Sequence, residues 1–144
     1  MTNVVQDYDY RFPHADYAIM RFQVRISEIA NSLGFEIESW SDQLGPALSM
    51  CLRLPSGRMI VFLELQYAIT HHGEKGPYVH VDAAVIAEFG VEPLIEEVLA
   101  SLGLSGQLVD WRATSEQQQY AIDFMKWAGA HKRNDSMPPA TTPH

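Results

Sequence analysis

LSMCLRLPSGRMIVFLELQY, Leu48 to Tyr67, is the stretch whose reading decides the fold. Its first half alternates strictly, with Leu48, Met50, Leu52 and Leu54 on one face and Ser49, Cys51 and Arg53 on the other. Pro55 to Gly57 form a short turn, and the chain returns through Arg58. In the second half Val61, Leu63, Leu65 and Tyr67 share a face, which sets Glu64 and Gln66 on the opposite, wet side. Two alternating runs around a short glycine-containing turn predict an antiparallel hairpin.

Two further runs extend the sheet. FEIESW alternates Phe35 and Ile37 against Glu36 and Glu38 until the pattern slips near Ser39, as at a bulge or strand end. YVHVDAAVI places Val79, Val81, Ala83 and Val85 on one face and Tyr78, His80, Asp82 and Ala84 on the other. Before the sheet, Ile19, Phe22, Ile26, Ile29 and Leu33 step by three and four, which predicts a helix capped by Asp16 and closed at Gly34. After it, Val91, Leu94, Ile95, Val98, Leu99 and Leu102 form the buried stripe of a second helix, with Pro93 in its first turn and Gly103 at its end. GQLVDWRA reads as a short fifth strand or an extended link. TSEQ, from Thr114, is a capping box, and the helix it opens buries Tyr120, Phe124, Trp127 and Ala128 and carries Lys126, Lys132 and Arg133 late in its course.

The order is helix, four strands, helix, strand, helix. It predicts an α+β fold in two layers, a mainly antiparallel sheet of about 4–5 strands with helices on one face and the other face left to water or a partner. Residues 1–11 read as an N-terminal extension, residues 12–133 as a single domain, and the Pro/Thr-rich residues 134–144 as a disordered tail.

At 144 residues, with 47% hydrophobic and 19% charged residues, the chain has the composition of one globular domain. No apolar run approaches the roughly 18 residues of a membrane span, no secretory signal opens the sequence, and one cysteine allows no internal disulfide. A cytoplasmic location is the expectation. The formal net charge is −8, and Met59 to Asp110 hold eight acids (Glu64, Glu74, Asp82, Glu88, Glu92, Glu96, Glu97, Asp110) against Lys75 alone. That surplus disfavours nucleic acid and anionic membrane and favours a basic partner.

Residues with catalytic character are few. Cys51 lies mid-strand with nothing nearby to activate it, no serine sits in a G-x-S-x-G turn, and no glycine-rich phosphate loop is present. HHGEKGPYVHVD, His71 to Asp82, is the densest polar stretch. His80 and Asp82 emerge on one strand face, and His72 from the preceding link would complete a His/His/Asp metal set. The competing reading makes HHGEKGP a mobile connection and YVHVD one stripe of a solvated face. On that face Glu36, Glu38, Arg53, Glu64, Tyr78, His80 and Asp82 would form an acidic surface with an aromatic anchor, suited to a basic protein patch.

In size, charge and layer order the chain resembles the small acidic α+β proteins with which bacteria bind other proteins, among them immunity proteins and secretion chaperones. The resemblance rests on no motif and carries over no residue. It implies a cytoplasmic, non-enzymatic protein without cofactor, most simply an immunity-type protein that neutralises a basic toxin or secreted effector. A secretion-chaperone-like protein, a metal-dependent small enzyme and a homodimer with a purely structural face are the other expectations.

Overall fold

A computed structural model describes residues 3–119 and residue 123. The helix expected after Thr114 and the tail at 134–144 lie almost wholly outside the described residues. At its start the capping box is formed: the Gln117 side chain accepts from the Thr114 amide at 2.9 Å, and the Gln117 amide donates to Thr114 Oγ1 at 3.2 Å.

The hairpin is the centre of the sheet. β4 (Gly45–Arg53) and β5 (Met59–Leu65) pair from Ala47↔Leu65 to Arg53↔Met59. Opposite residues share a face, so Leu48, Met50 and Leu52 meet Glu64, Phe62 and Ile60. Ile60 and Phe62 thus point into the core while Val61 and Leu63 lie on the far face, the reverse of the expected parity. Glu64 goes inward with them and is 2% exposed.

Around the hairpin the antiparallel sheet has seven strands, more than expected, in the order β1-β4-β5-β6-β2-β7, with β3 also on β4. β1 (Val5–Gln6) and β3 (Glu38–Asp42) share one edge of β4, β3 along Gly45–Ser49 and β1 at Leu52–Arg53. β6 (Tyr78–Asp82) lies between β5 and β2 (Asp16–Phe22), and β7 (Val109–Arg112) closes the other edge.

β2 corrects the first expected helix. Ile19 is an extra residue in the β2–β6 ladder, which runs Ala18↔His80 and then Met20↔Val79. The bulge buries both Ile19 and Met20, and Phe22 follows three residues after Ile19. That spacing imitates a helical stripe. The helix itself, α1, is only Ile26–Leu33, ended by Gly34 at φ 78°.

The other expected strand ends are helices as well. α2 (Gln66–His72) follows β5 directly, so Tyr67 is not a strand residue, and His71 and His72 belong to a helix rather than to the link before β6. Gly73 ends α2 at φ 69°, and Gly76 and Pro77 are buried. A Cβ on Gly76 would overlap the carbonyl oxygens of Phe22 and Val24, so only glycine fits there. Asp82 ends β6 and caps α3 (Ala83–Phe89), its carboxylate accepting from the Ala84 amide at 2.8 Å. Gly90 then links α3 to α4 (Val91–Leu102), whose buried residues are the six expected ones.

Residues from α1, α3 and α4 share one core with Met20, Phe22, Met50, Leu52, Ile60, Phe62, Val79 and Val81, inside which the Phe22 and Phe62 rings stack at 5.7 Å. α2 touches β4 and β5 and adds nothing to that core. Among the described residues no helix is long and apolar enough to cross a membrane.

Candidate functional site

The far face of the sheet is not bare. The chain before β2 leaves the β4 edge at Asp7, whose amide donates to the Cys51 carbonyl at 2.9 Å, and arrives at the end of β6. There Asp82 accepts from the His14 backbone amide at 2.9 Å and contacts His14 Nδ1 at 3.0 Å. Residues 7–14 thus form a strap across the face. Gln6 fixes its start, giving its side-chain amide to the Glu36 carbonyl and accepting from the Glu36 amide at 2.9 Å.

Between the strap and β3 lies a cleft of about 540 Å³, lined by Tyr8, Tyr10, Arg11, Glu38, Ser39, Trp40, Ser49, Cys51 and Val61. Its floor follows from the ladder, since Cys51 and Val61 are cross-strand partners on the far face. Its walls are aromatic. Tyr8 is 48% exposed and Trp40 43%, and each is oriented by a hydrogen bond: Tyr8 Oη to Glu36 at 2.8 Å, and Trp40 Nε1 to Ser49 Oγ at 3.0 Å.

The cleft is electronegative. Glu36 beside Tyr8, helped by Glu38, raises that phenol above its usual value. Burial, then Asp82, Cys51 and Asp7, raises Tyr10. Burial, with Asp7 and Glu38, pushes the Cys51 thiol up to about 12, so near neutral pH it is held as the protonated, weakly nucleophilic thiol. Arg11 is the one base in the lining, and its guanidinium donates to the Tyr10 carbonyl rather than to a carboxylate.

The seven face residues expected from the sequence divide. Glu38 lines the cleft, Glu36 stands behind Tyr8, and Arg53 is exposed at the end of β4, making no ion pair with a described residue. Tyr78 and His80 are on the face but already engaged. Tyr78 Oη donates to Glu74 at 2.6 Å and accepts from Arg21 at 3.0 Å, Arg21 also binds Asp110 at 2.8 Å, and the Tyr78 and Trp111 rings meet edge to face at 5.8 Å. His80 Nδ1 lies 2.9 Å from Asp16, too poorly aligned to count as a hydrogen bond; the contact nonetheless holds the Asp16 carboxyl below its ordinary value.

Asp82 and Glu64 are corrections. Asp82 is 4% exposed beneath the strap. Glu64 is under the sheet, where its two oxygens accept from Arg25 Nε at 2.9 Å and from the Ile26 amide at 2.8 Å. From within α1, Glu28 reaches back only to the Arg25 amide, at 3.4 Å, so the first helical N–H, that of Ile26, is met by a carboxylate from β5. A charge is tolerated on the core side because a guanidinium and a free helix N–H meet it.

The expected metal set is also not assembled. His72 lies in α2 against the Tyr67 ring, while His80 and Asp82 turn to Asp16 and His14. Among the described residues no three His, Cys, Asp or Glu side chains are grouped to hold an ion. The surplus of acid is likewise dispersed, since Glu88, Glu92, Glu96 and Glu97 belong to α3 and α4 on the covered side.

Sequence reading missed Tyr8, Tyr10, Trp40 and the strap's anchor His14. A signal was present in YDYRF, where Tyr8, Tyr10 and Phe12 recur at period two, the pattern of an extended segment with one face on apolar surface. Compared with protein families, curated proteins and solved structures, the chain matches none of them.

Proposed function

We propose that this chain is a non-catalytic binding module that engages a basic protein partner through the strap side of its sheet. An immunity-type protein that neutralises a basic toxin is the form of this reading that we favour. The observation that carries it is the cleft: Tyr8 and Trp40, each oriented by a hydrogen bond, and Tyr10 around Glu38, with Glu36 behind Tyr8, presented on a seven-stranded sheet. Aromatic anchors supply contact area at interfaces, and carboxylates steer a cationic surface towards them. The raised Cys51 thiol and the occupied His80 and Asp82 speak for binding rather than chemistry.

The test uses nona-arginine as a minimal basic partner and stopped-flow association at low and physiological salt. The double variant Glu36→Lys/Glu38→Lys should slow association at least tenfold more than Glu88→Lys/Glu116→Lys, which changes the net charge equally on other surfaces. Equal slowing by both pairs would mean that only net charge matters, and would remove this face from the reading.

A further inference from the structure

We infer that the cleft beside the strap is a receptor for a single arginine side chain of the basic partner, with Glu38 as its counter-ion. The inference rests on the binding reading above and narrows it to one chemical group. Glu38 is the observation that singles the place out. Among the described acids that are partly or fully buried, Asp7, Glu64, Glu74, Asp82, Glu97 and Asp123 each have a hydrogen-bond or ion-pair partner. Glu38 is partly buried as well, lines the cleft of about 540 Å³, and has no such partner among the described residues.

A half-withdrawn carboxylate without a donor is incomplete, and a charged donor completes it best. The surroundings select which donor. Trp40, Tyr8 and Tyr10 offer π-faces for a flat cation, and a guanidinium stacks on such faces while binding a carboxylate through two parallel N–H groups. An ammonium, compact and strongly hydrated, uses neither geometry as well. The volume of about 540 Å³ lies within the usual range for small-ligand pockets, about 300–1,000 Å³, and admits the side chain with its flanking backbone. The chain's own Arg11 does not fill the role, because it is exposed and tied to the Tyr10 carbonyl. It is a like charge at the rim, and removing it should tighten binding.

The experiment titrates the full chain with acetyl-Gly-Gly-Arg-Gly-Gly-amide and with the same peptide carrying citrulline, the neutral isostere of arginine. The readout is the NMR signal of the Trp40 indole N–H, assigned by its loss in Trp40→Phe. The arginine peptide should give a saturable shift, at least ten times weaker with citrulline and in Glu38→Gln, and stronger in Arg11→Ala. Equal shifts with arginine and citrulline, or an unchanged titration in Glu38→Gln with the rest of the spectrum intact, would overturn the inference. A third arm uses N-ethylguanidinium: saturation only with the peptide supports a protein side chain, while equal affinity for the free cation overturns the protein source and leaves a small-molecule site. Discrimination of nona-arginine by the face variants without any Trp40 response would keep the acidic face and remove the pocket.

Discussion

Glu64 illustrates how one side chain decides an orientation. It is the acid in the middle of the hairpin, and polarity alone sends it to water. Burial becomes affordable because one oxygen receives Arg25 and the other receives the first amide of α1. Glu64→Ala should cost about 3 kcal/mol in chemical denaturation, Arg25→Ala somewhat less because its side chain is partly solvated, and the double variant less than the sum by about 1 kcal/mol or more. Additive effects would mean that the two groups do not act as a pair. Cys51 is the quiet counterpart. With its thiol at about 12 in place of 9.0, the thiolate at pH 8 is roughly a thousandfold scarcer than for an ordinary cysteine. Iodoacetamide labelling at pH 8 should therefore be slower in the folded protein than in denaturant by two orders of magnitude or more. For Asp16 the folded carboxyl is depressed by His80, so its contribution to stability is present above the ordinary value of 3.8 and is lost as pH falls through the lower folded value. Asp16→Asn should flatten the acid limb of the stability–pH curve below about pH 4 and lower stability at neutral pH, where that contribution is fully present.

At the scale of elements, α4 and the β4 half of the hairpin could be read from the chain, because each has an uninterrupted period with a glycine or turn at its end. β2 could not, since a bulge breaks the period of two and leaves apolar residues three and four apart, which is also the signature of a helix. The strand–helix junctions at Leu65–Gln66 and Asp82–Ala83 were hidden for another reason. Alternation runs on past them, and only the capping geometry at Asp82 marks where a strand becomes a helix. The connection from α2 to β6 shows the same limit: its glycines suggest freedom, yet Gly76 is pressed under the backbone of Phe22 and Val24. Gly76→Ala should destabilise the protein by about 2 kcal/mol or more in urea, whereas the same change at the exposed Gly57, with nothing near it, meets only the strain of its positive φ.

Across the whole molecule, the cleft was illegible because no single stretch contains it. Its lining comes from the strap, β3, β4 and β5, and the decisive partner of each residue is set by register rather than by sequence distance. The legible part was chemical: Glu36 and Glu38 were singled out as surface acids, and the missing part was which aromatics the fold would bring beside them. The strap joins this assembly with Asp82 holding one end and Gln6 the other. Asp82→Ala should cost about 2 kcal/mol, from the lost α3 cap and the released strap, and should expose the Arg11–Phe12 bond to limited trypsin digestion while the sheet stays protected. A strap that remains resistant in that variant would show that other contacts secure it.

The division of β4's outer edge between β1 and β3 has a consequence for self-association. One long strand is sheltered by two short ones from different parts of the chain, and the two-residue β1 guards Leu52 and Arg53. If that guard is shed, a row of main-chain donors and acceptors beside Leu52 becomes a template on which another molecule can grow a strand. Concentrated samples in which the N-terminal segment has been trimmed away should form oligomers by edge pairing, and the intact chain should resist them.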